Sequence, residues 1–396
     1  MTVDTDSERL IRGYEGRLFL WISIGWAVVG LGRKLLPPLL PAIISNLGIT
    51  AFQAGAALTT LWLVRAINQY PGGRLSDELS RKTVLVTSVL ILAFGFVLLS
   101  VSHWYLFFVF ALAVIGFGDG AYSVVLRSTV ADLYVEKRGR AFGIQGAFNG
   151  LAGMGAAGGA ILVLAVGTWR SAFFPIGVYL AITAVGLHLW QRESYVLKKP
   201  DLEISETVLR LLDNRTVRHV VGAYVFFMFA WQGMIGFLPV FLQAEKGLST
   251  TLASLAFGSV YLVGVGAAPL AGFLGDNVGK LRTVLAVLIC ALSGLAALLV
   301  ADSVASIAVS ILVLSIGFRS FFDLAQAFLM DTFRNDTMSG DLGAVKTIWS
   351  GLGSLGPMYV GWMAGVMNYS VAYFGLAVCV LLSFVLVTLL SFRGEI

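Results

Sequence analysis

Long apolar segments separated by short polar connections run through the whole chain, and this pattern constrains the fold more than any other feature. A helix that crosses a bilayer needs about 20 apolar residues, so twelve helices would use roughly 240 to 300 residues. A chain of 396 residues fits that number with short connections. A membrane β-barrel is disfavoured because its strands alternate apolar and polar residues over about 10 positions. We therefore predict an all-α protein whose twelve transmembrane helices lie in a lipid bilayer.

The composition excludes several other classes of protein. Only 12% of the residues are charged, whereas about 25% of the residues of a soluble domain are charged. A disordered chain, a disulfide-rich secreted scaffold and a nucleic-acid-binding domain are therefore excluded. The three histidines show no metal-ligand spacing, and no nucleophile and base stand in a catalytic pattern. We predict no enzyme activity, no cofactor and no metal site.

Apolar runs bounded by polar residues mark the predicted spans. They lie at 18–44, 51–72, 83–101, 105–132, 141–166, 171–191, 217–243, 251–274, 282–301, 305–332, 342–366 and 371–391. The longest polar stretch lies between the sixth and seventh spans. We therefore predict an N-terminal six-helix bundle (1–191), a cytoplasmic linker (192–216) and a C-terminal six-helix bundle (217–396).

The distribution of Lys and Arg predicts the orientation of the chain. With a cytoplasmic N-terminus, the cytoplasmic segments hold 19 of the 27 Lys and Arg residues, and the outer segments hold only Arg170 and Lys246. The first 17 residues have mixed charge and lack the apolar core of a signal peptide. We predict a multi-pass protein of the cell membrane with both termini in the cytoplasm.

The two halves of the chain resemble each other. Residues 48–77 and 247–276 align without a gap at an offset of 199 and share eight identities. Internal duplication of this kind is typical of secondary transporters, whose substrate site lies between two bundles that rock against each other. The duplication therefore predicts two pseudo-symmetric bundles with a central site.

A short motif occurs in both halves, in the loops after the second and eighth spans. Its residues are Gly73, Leu75, Asp77 and Arg81 in the first copy and Gly272, Leu274, Asp276 and Lys280 in the second. Both copies resemble the G-x-L-x-D-x-x-G-[R/K] signature of the major facilitator superfamily, although Ser80 stands where the second copy has Gly279. The resemblance covers the whole chain and implies that family's fold, transport by alternating access and a functional monomer.

The motif residues are interpreted as a gate. The glycines let helix ends approach closely, while each aspartate is predicted to cap a short helix and to pair with a nearby cation. Helix packing without a role in transport is the alternative, and neither interpretation makes these residues substrate ligands. The predicted gating residues are Gly73, Asp77, Arg81, Gly272, Asp276, Lys280 and Arg138.

Charged residues within the spans are the best candidates for a transport site. Each costs about 2.5 to 3.5 kcal/mol at the bilayer centre, so we expect them to face protein or water. Spans three, six, nine and twelve contribute none, and the resemblance implies that these spans are peripheral. The charged residues are Arg33, Lys34, Arg65, Asp119, Arg127, Arg319, Asp323 and Lys346.

Helical spacing relates some of these residues. Asp119 and Arg127 share a face of span four but lie about 12 Å apart along the axis, which argues against direct pairing. Arg319 and Asp323 are four residues apart, so they form either a structural ion pair or part of the functional site. Lys34, like Lys346, is interpreted as a snorkelling or packing residue.

The excess of positive charge within the spans favours an anionic substrate, because a guanidinium group binds carboxylate or phosphate bidentately. The resemblance is nearest to the organic-anion branches of the superfamily, and it implies that Arg33 contacts substrate and that Asp119 couples to protons. One departure is Leu112, which stands where those branches often have another arginine. The candidate substrate-binding residues are Arg33, Arg65, Arg127, Arg319, Gln145, Asn149 and Gln232.

Uptake of an anion requires a coupling ion, because moving one negative charge into a cell costs about 2.3 kcal/mol per 100 mV. The candidate proton carriers are Asp119 and Asp323. We therefore predict a proton-coupled secondary transporter of a small organic anion. The alternative is a proton-coupled multidrug or sugar efflux antiporter, although Gly155 and Ala156 leave the fifth-span Gly-Pro element of the multidrug branch incomplete.

Overall fold

The computed structural model describes residues 13–134, 136–196, 215–332 and 338–392, and these ranges are almost entirely helical. A single 3-10 turn, Trp169–Ala172, precedes the sixth helix. The α-helices of the described ranges are α1 (Gly13–Leu47), α2 (Ala51–Glu78), α3 (Arg81–Ser100), α4 (Tyr105–Leu133), α5 (Arg138–Val166), α6 (Phe173–Trp190), α7 (Arg215–Ala244), α8 (Thr250–Val278), α9 (Lys280–Val300), α10 (Val304–Thr332), α11 (Met338–Gly353), α12 (Gly356–Val366) and α13 (Tyr369–Phe392).

Ten helical segments of the described ranges are long and apolar enough to cross a membrane. The two other crossings are α2, which carries several polar side chains, and the pair α11 and α12, neither of which is long enough alone. The prediction of twelve crossings is therefore confirmed, but the eleventh is not the continuous span 342–366. Pro357 has no N–H to donate, and in a continuous helix its ring would clash with the carbonyl group of Gly353. The helix is interrupted at Ser354 and Leu355.

The two halves repeat one packing pattern, which confirms the pseudo-symmetric bundles. In the first half α1 packs on α5 and α6, α2 on α4, and α3 on α4 and α6. In the second half α7 packs on α11, α12 and α13, α8 on α10, and α9 on α10 and α13. Most of the predicted linker, residues 197–214, lies outside the described residues.

The bundles meet tightly at the distal end of the molecule, which we define as the end where α1 finishes and α2 begins. Here α2 packs against α11 and α12, and α5 packs against α8. A Cβ on Gly55 would lie 3.0 Å from Met358 Cα, and a Cβ on Gly361 would lie 3.0 Å from Phe52 Cα. Glycine at both positions therefore lets the two backbones touch.

The bundles diverge toward the opposite, proximal end, where α2 finishes and α3 begins. One face of α5 carries Gly146, Gly150 and Gly153. A Cβ on Gly150 would meet Val265 of α8 at 3.0 Å, and Gly153 packs on Tyr261. A Cβ on Gly146, one turn closer to the proximal end, would meet no atom within 4 Å. The interface between α5 and α8 is therefore closed at the distal end and splayed at the proximal end.

Candidate functional site

Three charged side chains from three helices meet inside the first bundle. Arg33 of α1 places Nη1 2.9 Å from Oδ2 of Asp119 in α4, and Arg65 of α2 donates through Nε to the same oxygen. Asp119 is fully buried, and the Arg33 and Arg65 side chains are 7% and 16% exposed. Two cations on one carboxylate leave a net positive charge at the centre of the bundle.

Glycines of α4 explain why Asp119 is so deeply buried. A Cβ on Gly120 would lie 2.6 Å from the carbonyl oxygen of Arg65, and a Cβ on Gly118 would lie 3.0 Å from that of Ser88. Gly116 likewise packs against the backbone of α2. The glycines on either side of Asp119 therefore bring α2 and α3 directly onto α4, which sinks the carboxylate between the helices.

Tryptophan rings line the two arginines. Arg33 Cζ lies 5.3 Å from the ring centroid of Trp26 and 5.5 Å from that of Trp62, and Arg65 Cζ lies 5.7 Å from the Trp62 ring. A guanidinium group over an aromatic face gains a cation–π attraction. The sequence does carry a signal for these rings, since Trp26 and Trp62 precede Arg33 and Arg65 by seven and three residues and so share their helix faces.

Lys34 lies between the two bundles rather than at a membrane interface. Its Nζ donates to Asn149 Oδ1 of α5 at 2.7 Å and to the Asn149 carbonyl oxygen, and it lies 4.5 Å from the ring centroid of Tyr261 in α8. The interpretation of Lys34 as a snorkelling residue is therefore wrong, because partners from both bundles hold its ammonium group. Asn149, a predicted site residue, is one of these partners.

Arg319 of α10 faces the same aromatic ring from the second bundle. Its Cζ lies 5.4 Å from the Tyr261 ring centroid and 5.8 Å from that of Trp231. Gly264 makes room for it, since a Cβ there would lie 2.6 Å from Arg319 Nε. Gly264 stands 199 residues after Arg65, and Arg319 stands 199 residues after Gly120. At these equivalent positions the first bundle has arginine on α2 and glycine on α4, whereas the second bundle has glycine on α8 and arginine on α10.

Several predicted site residues have buried polar atoms without a hydrogen-bond partner. Gln145 and Gln232 are both buried. Unsatisfied buried polar groups are costly and therefore rare, and five of the atoms without a partner in the described ranges belong to predicted site residues. The atoms are Arg33 Nε, Asp119 Oδ1, Gln145 Nε2, Gln232 Oε1 and Arg319 Nε.

The two remaining predicted residues are Arg127 and Asp323. Arg127 is exposed and lies two turns closer to the proximal end than Asp119. The side chain of Asp323 lies outside the described residues, so its predicted relation to Arg319 stays a prediction.

The first copy of the loop motif lies where α2, α3 and α4 meet. A Cβ on Gly73 would meet Val124 of α4 at 3.3 Å, as the predicted close helix packing requires. Arg81 makes an ion pair of 2.5 Å with Asp132, a partner at the end of α4 that the sequence did not indicate. The Asp77 side chain lies outside the described residues, so its predicted pairing with Arg81 stays untested.

The second copy differs in its turn. Asp276 lies exposed in the last turn of α8, and Gly279 adopts φ 109° before α9 begins at Lys280. In the first copy Ser80 is extended and caps α3, its hydroxyl accepting from Thr83 N–H at 3.1 Å. Ser80 and Gly279 therefore occupy the N-cap positions of α3 and α9, and neither aspartate is the N-cap residue of these two helices.

The remaining predicted gating residue also contacts α4. Arg138, exposed in the first turn of α5, donates through Nη2 to the Ala131 carbonyl oxygen at 2.9 Å. With the Arg81 pair, this contact ties the proximal end of α4 to both neighbouring helices. Arg81 and Arg138 of the first bundle's proximal loops therefore hold helix ends through α4.

Two helical bundles with the same packing pattern that meet around buried charged side chains are typical of secondary transporters. A family model described as the Major Facilitator Superfamily matches residues 22–357 and 220–395. The chain therefore belongs to the Major Facilitator Superfamily, whose members transport small molecules and are not enzymes.

Similar proteins include several bacterial transporters. An uncharacterized MFS-type transporter of Mycobacterium tuberculosis is 32% identical over 135 residues, 34% of this chain and 20% of that protein. Multidrug resistance protein MdtH of Cronobacter sakazakii is 27% identical over 241 residues, 59% of this chain and 57% of the relative. The probable sulfoacetate transporter SauU of Cupriavidus necator is 26% identical over 263 residues, 61% and 60% respectively. The matches thus span one fifth to three fifths of these relatives.

Solved structures share the fold at low sequence identity. A bacterial homologue of the human lysosomal transporter Spinster, in an inward-facing and occupied conformation, has a TM-score of 0.81 at 16% identity and covers 96% of this chain and 97% of its own. The nucleoside transporter NupG has a TM-score of 0.77 at 13% identity and covers 94% and 99%. These likenesses concern the fold alone.

Proposed function

We propose that the protein is a proton-coupled transporter of a small organic dianion, which binds between the bundles at the cluster around Asp119 and Tyr261. The observation that carries this proposal is the excess of cations there. Four cations lie around these two residues, and Asp119 is the carboxylate of the first bundle among them. The cations are Arg33, Lys34, Arg65 and Arg319.

The charge balance favours a dianion over a monoanion. Four cations lie around Asp119 and Tyr261. Asp119 supplies one negative charge, and Asp323, which follows Arg319 by one helical turn, supplies at most one more. An excess of at least two positive charges therefore needs compensation in a medium where unpaired charge is costly. A solute with two anionic groups neutralises two of these charges, whereas a monoanion neutralises only one.

The cations form two groups that suit a solute with two acidic heads. Arg33 and Arg65 share Asp119 in the first bundle, while Lys34 and Arg319 share the ring of Tyr261 at the bundle interface. The free Nε of Arg33 and of Arg319 gives each group one unsatisfied donor. Sulfoacetate, named for the relative SauU, carries a carboxylate and a sulfonate and is the natural first probe.

Asp119 is suited to couple protons to this solute. As a carboxylate it occupies Arg33 and Arg65, and as a neutral acid it releases both guanidinium groups to the substrate. Import of a dianion against 100 mV costs about 4.6 kcal/mol, twice the cost of a single charge. Electroneutral import needs two protons, for which Asp119 and Asp323 are the proposed carriers.

The splayed proximal end gives the proposed direction of opening. The Lys and Arg distribution predicts that the proximal end faces the cytoplasm of a plasma-membrane protein. In this orientation the conformation described above is inward-facing. A single chain supplies the whole transport route of the solute. Rocking of the bundles would then expose the same cluster to the other side.

A multidrug efflux antiporter is the second candidate, and the aromatic rings of the site favour it. Trp26, Trp62, Trp231 and Tyr261 could receive a lipophilic cation, and MdtH is named as a multidrug resistance protein. Each of these rings already faces a cation of the chain itself, however. That arrangement favours an anionic solute, which the cations attract.

Calorimetric titration of the purified protein distinguishes the candidates. The ligands are sulfoacetate, malonate and succinate as dianions, acetate as a monoanion, a neutral sugar and tetraphenylphosphonium. We expect dianions to bind, and Arg33→Gln to weaken their binding at least tenfold. Arg81→Gln is the matched control, because Arg81 pairs with Asp132 away from the site, and we expect it to leave the affinity unchanged. Binding of the lipophilic cation alone would overturn the proposal.

A further inference from the structure

One hydroxyl group of the first bundle lies inside the broken eleventh crossing of the second bundle. Thr59 Oγ1 of α2 donates to the Ser354 carbonyl oxygen at 2.7 Å and accepts from the Met358 N–H at 3.2 Å. In an uninterrupted α-helix these two backbone groups, four residues apart, would bond to each other. The side chain thus replaces one rung of the helix ladder, which is a recognised cause of a helix kink.

The surroundings fix this contact firmly. Thr59 is 5% exposed and Ser354 is fully buried. On either side of the contact, Gly55 packs on the carbonyl group of Pro357 and Gly361 packs on Ala51. The hydroxyl group therefore lies in the tight distal seam between α2 and α12, where a buried backbone group without a partner would be costly.

We infer that Thr59 is a latch that couples closure of the distal end to the break between α11 and α12. With the seam closed, the hydroxyl satisfies both backbone groups and the crossing stays broken. When α2 withdraws, Ser354 and Met358 lose that partner and can bond to each other, which straightens the crossing. Opening of the distal end and straightening of this helix are then one event.

A pair of adjacent threonines supplies the matched test. Thr59→Val removes the hydroxyl and keeps the branched shape, and Thr59→Ser keeps the hydroxyl. Thr60→Val is the control, because the Thr60 hydroxyl donates to Ala56 of its own helix at 2.9 Å and not to the second bundle. The inference does not depend on the identity of the solute, so it is tested without one.

The measurement is the distance between spin labels at the distal end of each bundle. Leu106→Cys in α4 and Val304→Cys in α10 are suitable sites, since both side chains are exposed, with Cys290→Ser and Cys379→Ser in the background. We expect Thr59→Val to raise the ratio of the long-distance to the short-distance population about tenfold. A change of this size corresponds to the net contribution of about one hydrogen bond. Thr59→Ser and Thr60→Val should match the parent.

A second variant keeps the inference testable if Thr59→Val fails to fold. Pro357→Ala restores an N–H and removes the ring that conflicts with Gly353, so α11 and α12 can join without the hydroxyl. We expect it to shift the distances in the same direction as Thr59→Val. An unchanged distribution in both variants, or an equal shift in Thr60→Val, would overturn the latch.

Discussion

Replacement of Asp119 by asparagine removes the carboxylate that Arg33 and Arg65 share. Breaking a buried ion pair by removal of one partner costs about 3–5 kcal/mol, because the remaining charge is left uncompensated. Asp119 is fully buried and its two partners are 7% and 16% exposed, so water screens the change weakly. Asparagine keeps the shape and one acceptor, which sets the expectation at the lower end, about 3 kcal/mol.

The assay is equilibrium unfolding in detergent micelles, with Asp132→Asn as the matched control. Asp132 lies on the same helix as Asp119 and pairs with Arg81 of α3, but it is 59% exposed. Surface pairs contribute about 0–1 kcal/mol. A dianion at 100 times its dissociation constant should raise the free energy of unfolding of Asp119→Asn by about 2.7 kcal/mol. If Asp119→Asn costs no more than Asp132→Asn, the buried pair does not stabilise the fold as argued.

Three further predictions concern helix packing, a helix cap and an aromatic ring, and each is measured by the free energy of unfolding in the same assay. Gly120→Ala should cost about 1–3 kcal/mol through overpacking, because its Cβ would lie 2.6 Å from a carbonyl oxygen of α2. Gly146→Ala should be neutral or stabilise by up to about 1 kcal/mol, because its Cβ meets open space. A larger loss for Gly146→Ala than for Gly120→Ala would contradict the helix packing described. Ser80→Ala should cost about 1 kcal/mol through loss of the α3 cap, and no loss would show that the cap is not needed. Tyr261→Leu should cost about 0.5–2 kcal/mol through the cation–π contacts, while Tyr261→Phe keeps the ring; equal losses would argue against those contacts.

The sequence was sufficient to predict the helices, because apolar run length and charge are local properties of the chain. The predicted span 83–101 corresponds to α3 at Arg81–Ser100. The first span was predicted at 18–44, but α1 extends over Gly13–Leu47, since a helix continues past its apolar run into the polar interface. The twelve crossings and the two bundles follow from such runs and from the internal repeat.

The break in the eleventh crossing could not be predicted from Pro357 alone. Pro37, Pro38 and Pro41 lie inside α1, and that helix is uninterrupted. What distinguishes Pro357 is a partner from the other bundle, since Thr59 bonds to the backbone groups on both sides of the break. A contact between residues almost 300 positions apart has no local signal in the sequence.

The candidate site was predicted in its charges but not in its contacts. Arg33, Arg65 and Asp119 were identified because charge within an apolar span is conspicuous, whereas their meeting at one carboxylate oxygen depends on how three helices pack. The snorkelling interpretation of Lys34 was wrong for the same reason. Its partners, Asn149 and Tyr261, come from both bundles, and no spacing along α1 indicates them.

Proton-driven accumulation of a radiolabelled dianion in proteoliposomes tests the central proposal most directly. The probe is the dianion that binds best in the titration, and the drive is an imposed pH gradient. The account predicts that the wild type accumulates the dianion, and that Asp119→Asn still exchanges it across the membrane but no longer accumulates it against a gradient. Undiminished proton-driven accumulation by Asp119→Asn would contradict the account.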